Sequence, residues 1–221
     1  SDQIVSEQGR PLLIGDIEGN GTLEIVVQNY DNWGILNNEG DLVHGPFSAG
    51  PQIKALLDID NDGQLELLQQ SWDGENGAVN TIYKANGSIY SSWIESYPNV
   101  PIDALAGNLN STSKQEIITT LQYQTIGPQE YTGPFVNIYS DQGDLFQQRD
   151  PLPDVDLEST LMPAALADLD GDGTAELIFS QYIHYYGGRI SVWTFPESNF
   201  YSDWPMQGHD PQGTYNHETP E

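Results

Sequence analysis

The 221-residue chain has no cysteine. That removes thiol chemistry and disulfide scaffolding from consideration, without fixing a compartment. Cations are nearly as scarce: 6 Lys plus Arg stand against 33 Asp plus Glu, a formal charge of −27. Nucleic acid and anionic lipid both require clustered Lys and Arg, so neither is an expected partner. No run approaches the roughly 18 consecutive apolar residues of a membrane-spanning helix, so insertion into a membrane is not expected. The opening Ser1-Asp2-Gln3-Ile4 has neither the basic nor the apolar region of a signal peptide, and the sequence reads as a mature chain or as part of a longer one. Apolar residues are nowhere sustained at i, i+3, i+4 and i+7 over several turns, which argues against a helical solenoid.

What remains is an acidic chain that folds. Charged residues make up 18% of it, below the usual quarter or so of a globular protein, and 5 Trp, 12 Tyr and 6 Phe are spread throughout. The charge imbalance therefore reflects missing cations and not a disordered acidic tail. The length suits one β domain or at most two small ones. Such acidity fits a marine or saline exterior, where salt screens self-repulsion.

Four segments align without gaps: Asp16-Ile-Glu-Gly-Asn-Gly-Thr-Leu-Glu24-Ile25, Asp58-Ile-Asp-Asn-Asp-Gly-Gln-Leu-Glu66-Leu67, Asn108-Leu-Asn-Ser-Thr-Ser-Lys-Gln-Glu116-Ile117 and Asp168-Leu-Asp-Gly-Asp-Gly-Thr-Ala-Glu176-Leu177. Each has an apolar residue at its second position, Glu at its ninth and Ile or Leu at its tenth; successive starts lie 42, 50 and 60 residues apart. A short apolar run enters each loop and another leaves it. A third run follows, and a turn leads to a fourth. Gly40, Gly87 and Gly143 mark that turn in the first three repeats, and Pro196-Glu-Ser marks it in the last. Four strands per unit of about 40 to 60 residues describe the blades of an all-β propeller. The expectation is a single domain over residues 1–221 with four four-stranded antiparallel blades, at about 11–50, 51–100, 101–156 and 157–215. These close alone or as part of a larger ring, with the first ten residues as a candidate closing strand.

The pattern Asp-x-Asp-x-Asp-Gly sets oxygen donors at alternate positions, with a glycine at the sixth that permits a sharp turn. A hard cation such as calcium needs this chemistry: six to eight oxygens on a backbone able to curl around it. An EF-hand would place its acid at position twelve, where this chain has Val27, Gln69, Thr119 and Phe179. Alternating Asp also forms Asx turns without any ion, and that alternative stays open. Against it, like charges this close call for a counter-ion.

These loops and their strand frame resemble the FG-GAP or VCBS repeats of integrin-like β-propellers. The resemblance runs over all four repeats, and it implies calcium ligands at positions one, three, five and nine with a main-chain oxygen at seven. Carried over, it implies Asp58, Asp60, Asp62, Gln64 and Glu66 in the second loop, and Asp168, Asp170, Asp172, Thr174 and Glu176 in the fourth. In the first loop it implies Asp16, Glu18, Asn20, Thr22 and Glu24, a looser set because of the longer Glu18. Asn108, Asn110, Thr112, Ser113 and Lys114 depart from the pattern, so the third loop is expected to hold its turn by hydrogen bonds. Three calcium ions are expected in all.

In that family the connections from second to third strand lie on the face opposite the metal. Here they carry aromatics beside Asp, Asn and Gln, suited to stacking on sugar rings or gripping a peptide. Tyr30, Trp33, Trp72, Tyr123, Tyr185 and Tyr186 form the expected partner-binding set, and filling the wedges between blades is the competing use of each ring. The segment from Asp203 to Tyr215, with its Trp-Pro-Met and His-Asp-Pro-Gln, resembles the end of such arrays in secreted bacterial proteins, and is assigned to closing the last blade. No Gly-x-Ser-x-Gly or His-Glu-x-x-His motif occurs. The leading expectation is a non-catalytic, calcium-stabilised, secreted or cell-surface recognition or adhesion module of bacterial origin, with a polysaccharide or a protein as partner. The rivals are a propeller enzyme of the polysaccharide-lyase type, using His184 with Tyr185 and Tyr186, and a structural subunit of a self-associating surface assembly.

Overall fold

The computed structural model describes residues 12–29, 31–48, 52–73, 76–96, 99–110, 112, 114–123, 135–149, 159–161, 164–183, 187–198 and 200–202. Its regular structure is all β, with no helix among the described residues, and the strands form four antiparallel four-stranded sheets. The first sheet is β1 (Leu13–Gly15), β2 (Glu24–Gln28), β3 (Asn32–Leu36) and β4 (Leu42–Ser48). The second is β5 (Ile53–Leu57), β6 (Glu66–Asp73), β7 (Gly77–Tyr83) and β8 (Ile89–Ser96), and the third is β9 (Asn99–Gly107), β10 (Glu116–Tyr123), β11 (Phe135–Tyr139) and β12 (Leu145–Arg149). The fourth comprises β13 (Ser159–Leu161), β14 (Ala165–Ala167), β15 (Ala175–Ile183) and β16 (Gly187–Phe195). In the first three sheets each strand pairs with the next in sequence, so their aligned loops join the first strand to the second, whereas the fourth loop joins β14 to β15.

Side chains alternate between the faces of a strand, and the third sheet uses both. Ala104, Ala106 and Ile117 enter a core shared with the first two sheets. Their neighbours Leu105 and Ile118 enter a second core, with Leu166, Leu177 and Phe179 of the fourth sheet. A sheet covered on two faces reads as a near-continuous apolar run and not as strict alternation, as in Ala104-Leu105-Ala106, buried throughout. The leading strands also pack in order, β1 against β5, β5 against β9 and β9 against β14.

The fourth sheet departs from the expected fourth run after a Pro196-Glu-Ser turn. β15 is paired along its whole length with β16, and β13 and β14 share its other edge, at Gln181–Ile183 and at Glu176–Ile178. The opening strand is therefore broken in two, and among the described residues nothing after Pro196 extends the sheet. Instead the chain crosses toward the third sheet. The Phe200 N–H donates to Gly173 O at 2.9 Å, the Asn108 N–H donates to Tyr201 O at 2.8 Å, and the Ser202 hydroxyl donates to Ala106 O. The bonds at Tyr201 and Ser202 cross to the third sheet, while that of Phe200 returns to the fourth loop; none belongs to a fourth ladder. The first ten residues and the segment 203–215 lie outside the described residues.

Trp33 corrects a further expectation. It is 2% exposed and packs between Phe47 of β4, ring centroids 4.6 Å apart, and Tyr83 of β7, at 5.5 Å. The ring fills the wedge between the first two sheets and offers no face to a partner. The reason is its place inside β3, where alternation turns it toward the second sheet. Replacing Trp33 with Ala should destabilise the fold by about 3–5 kcal/mol, the usual cost of emptying a large aromatic site. Urea unfolding followed by circular dichroism checks this; a loss below about 1 kcal/mol would place the ring outside the core.

Candidate metal centre

Each aligned loop is clasped in the same way. The ninth-position Glu is buried, and its Oε2 accepts the backbone N–H of position two: Ile17 to Glu24 at 2.9 Å, Ile59 to Glu66 at 3.2 Å, Leu109 to Glu116 at 2.8 Å and Leu169 to Glu176 at 2.9 Å. In three loops the first-position Asp accepts N–H groups from further round the turn. Asp16 takes those of Asn20 and Gly21, at 2.9 and 2.7 Å, and Asp58 takes those of Asp62 and Gly63, at 2.9 and 2.8 Å. Asp168 takes those of Gly171, Asp172 and Gly173. The sixth-position glycines share one conformation, Gly21, Gly63 and Gly173 all at φ +85°, a left-handed geometry that strains any residue with a Cβ. The first-position bonds reach three to five residues on, and the two-residue Asx bonds are made instead at position five, where Asn20, Asp62 and Asp172 accept the N–H of Thr22, Gln64 and Thr174; all of them use only part of the lone pairs on each side chain.

The carboxylates converge in two places. Carboxylate oxygens of Asp58, Asp60 and Asp62 lie within 4.8 Å of one another, and so do those of Asp168, Asp170 and Glu176. Among the described residues these are the two groups of three acids close enough to share an ion. Asp172 lies beside the second group, its Oδ1 accepting the N–H and hydroxyl of Thr174 at 2.8 and 2.6 Å. Those two bonds hold its carboxyl below the usual range.

The remaining loops meet their charge in other ways. In the first, Glu18 meets His44 Nε2, 2.7 Å off on β4, with one oxygen and accepts the Asn20 side-chain amide at 3.1 Å with the other, while the Thr22 hydroxyl bridges Asn20 and Glu24; among the described residues its acids do not form a group of three within 4.8 Å. In the third, the Asn108 side-chain amide donates to the carbonyls of Thr112 and Lys114, and that of Asn110 donates to Glu116. N–H groups thus point at the oxygens that would otherwise face a cation. Lys114 reaches outward to Asp141 at 2.5 Å. Burial would raise the Asp141 carboxyl, but Lys114, Gln142 and Tyr90 outweigh it and hold the group low.

The second loop has a feature that its own ten residues do not announce. Lys84, opening the β7–β8 turn, sets its Nζ 3.4 Å from Asp60, 3.8 Å from Asp62 and 3.9 Å from Glu66. Asn37 and Ser140 open the corresponding turns of the first and third sheets. The available signal was scarcity: with so few cations, each marks where acid is densest. Even so, burial foremost, then the Asp60 charge, raises the Glu66 carboxyl from 4.5 to about 8, against the pull of the Ile59 N–H and Lys84.

Of the expected partner-binding rings, Trp72 is half-buried on β6, and Tyr123 closes β10 with its backbone opposite Asn99. Tyr30, Tyr185 and Tyr186 lie outside the described residues, as does His184. Tyr182, beside them on β15, is 55% exposed.

No family model matches the chain, and no curated protein does. The solved structures similar to it include two that follow. A protein of unknown function from Bacteroides caccae aligns at 12% identity and a TM-score of 0.41, over 85% of this chain and 62% of that one. A rhamnogalacturonan lyase of Bacillus licheniformis aligns at 14% identity and a TM-score of 0.39, over 93% of this chain and 35% of that one. The chain therefore spans less than two thirds of either.

A pH dependence follows from Glu66. The folded chain holds this proton more tightly than the unfolded chain, so the group favours folding below pH 4.5 and loses that contribution as pH rises toward 8. In chelator, the melting temperature should fall by several degrees over that interval, since each kcal/mol moves a chain of this size by about 2–4 °C. Glu66→Gln should flatten the fall. Equal slopes for the two proteins in scanning calorimetry would remove Glu66 as the cause.

Proposed function

We propose that the protein is a calcium-stabilised β-propeller module that recognises a polysaccharide or protein partner outside the cell. The observation that carries this reading is the recurrence of an acidic oxygen cluster at the same point of two repeats, each beside a buried, backbone-clasped glutamate. All-oxygen donors on a flexible turn suit calcium; zinc favours Cys and His, and magnesium demands a stricter octahedron. Asp58, Asp60, Asp62 and Glu66 would hold one ion, and Asp168, Asp170, Asp172 and Glu176 another. A third would bind in the first loop through Asp16, Asn20 and Glu24, joined by Glu18 once it leaves His44. Bound calcium would offset part of the −27 charge and fix the ends of adjoining strands.

The successive packing of leading strands supports sheets arranged as blades, and the exposed Tyr182 supports recognition at the end of the sheets remote from the loops. Such connections vary without disturbing the ladders. Trp72 and Tyr182, with Tyr30, Tyr123, Tyr185 and Tyr186, make up the proposed partner face.

Calcium titration by calorimetry, with melting curves in calcium and in chelator, tests the metal reading. Two or three ions per chain are expected, with Asp60→Ala and Asp170→Ala each removing one. A ligand at a hundredfold excess over its dissociation constant adds about 2.7 kcal/mol, so chelation should lower the melting temperature clearly. An unchanged melting curve together with no measurable uptake would reduce the loops to turns.

A further inference from the structure

The four sheets do not use their faces equally. Where a neighbouring sheet is present, the residue after the clasping glutamate faces the preceding sheet, and the next residue faces the following one. Leu67 stands opposite Tyr83 in the β6–β7 ladder, and Tyr83 meets Trp33 of the first sheet. Ile117 enters the core shared with the first two sheets, and Leu177 enters the core shared with the third. On the other face, Val26 turns toward the second sheet and Ile118 toward the fourth, while Leu68 points away from Leu67 toward the third. All six of these side chains are 0% exposed.

Two counterparts lack such a neighbour. Ile25 holds the preceding-sheet position in the first sheet, Ile178 holds the following-sheet position in the fourth, and both are only partly buried. The ladders set Ile14, Ile25, Leu36 and Leu42 in one row across the first sheet, and Leu42 is 39% exposed. In the fourth sheet they set Ala165, Ile178 and Val192 in a row, with Ile190 two residues along the same face; Val192 is 49% exposed and Ile190 73%. Neither row carries a charged residue, although the chain has a charge of −27. Among the described residues, neither hydrophobic core contains side chains of both the first and the fourth sheet. Contiguous apolar surface left open in this way marks an interaction site.

We propose that a second copy of the chain covers both faces, the fourth sheet of each copy packing on the first sheet of the other. The inference rests on reading the sheets as blades, and it names what completes them. The open rows lie at the positions that meet at each junction inside the chain, so a fourth-to-first junction continues packing already established between successive sheets. One further copy supplies both missing neighbours at once. Propellers close with about four to eight blades. One copy leaves its end faces open, two copies supply eight sheets, and three would exceed that range. The contact joins unlike surfaces, and such contacts form filaments unless the rotation brings the last surface back to the first. Two-fold symmetry achieves that return with two equal junctions. The like charge of the two copies opposes pairing, so salt and bound calcium should favour it.

The test is sedimentation equilibrium of the full chain in calcium at high salt. A mass of about twice 24.5 kDa is expected, with no further growth as concentration rises. Ile190→Glu and Leu42→Glu, at exposed positions on opposite end faces, should each weaken the dimer by about tenfold or more, with the melting temperature of the monomer unchanged. Ile89→Glu, at an exposed apolar position on β8 of an inner sheet, should leave the dimer intact. Mixing the two end-face variants should recover part of the dimer, since a mixed pair keeps one junction free of substitution. A dimer sensitive to Ile190→Glu but indifferent to Leu42→Glu would be a like-to-like pair and would overturn the arrangement, as would masses that keep growing past two copies. A monomer throughout overturns the proposal. So do end-face variants that lower the melting temperature of a monomer, because the chain itself would then cover the faces. Calcium uptake is read separately by calorimetry, so the pairing can fail while the calcium-stabilised module stands, and the reverse.

Discussion

A backbone N–H donating into a buried glutamate, four times over, is the bond on which the rest of this structure depends. Glu24, Glu66, Glu116 and Glu176 are each at most 5% exposed, and each spends an oxygen on the residue that follows the first loop position. The bond ties the start of the loop to the head of the next strand and sets the depth at which the loop sits. It also buries a carboxyl group at the floor of the loop, and at Glu66 that burial raises the group's hold on its proton. Breaking such a bond would strand both groups, at about 1–3 kcal/mol for a buried polar atom and more for a charge. The clasp survives in the third loop, where nearly everything else has been replaced, so its role belongs to the strands and is separable from any ion.

Four identical clasps create four deposits of negative charge, and the chain answers them differently. Lys84 leans on the second cluster, His44 takes Glu18 from the first loop, amide N–H groups fill the third, and the fourth has only its own hydrogen bonds beside three gathered acids. The two acidic clusters are consequently unequal. A cation entering the fourth loop meets uncompensated carboxylates, whereas one entering the second competes with an ammonium for Asp60.

Much of this was legible in the chain. The loops and their order follow from an ungapped alignment, and the ninth-position Glu, which looked like a ligand, proved to have a backbone partner too. What local pattern does not contain is distance in space. Glu18 and His44 are 26 residues apart, and Lys84 is 24 from Asp60, so neither pairing shows in a ten-residue motif. Trp33 was ambiguous for another reason: an aromatic beside polar residues looks alike whether it faces solvent or a neighbouring sheet, and only packing decides. The missing fourth run of the last sheet was likewise hidden, because Phe200 bonds back to the fourth loop and Tyr201 and Ser202 bond to the third sheet, instead of to a ladder of their own.

That crossing segment has a consequence for the order of assembly. The first two sheets are joined by residues close in the chain, with the Leu65 N–H on Ile17 O at 3.0 Å and the Gln28 amide on Ile53. They can settle as soon as the ribosome has released them. The third loop cannot, since the partners of Asn108 and Ala106 arrive some ninety residues later, at Tyr201 and Ser202. Closing so long a span carries a larger loop entropy, so the bonds to Tyr201 and Ser202 cost more to close than those that join the first two sheets.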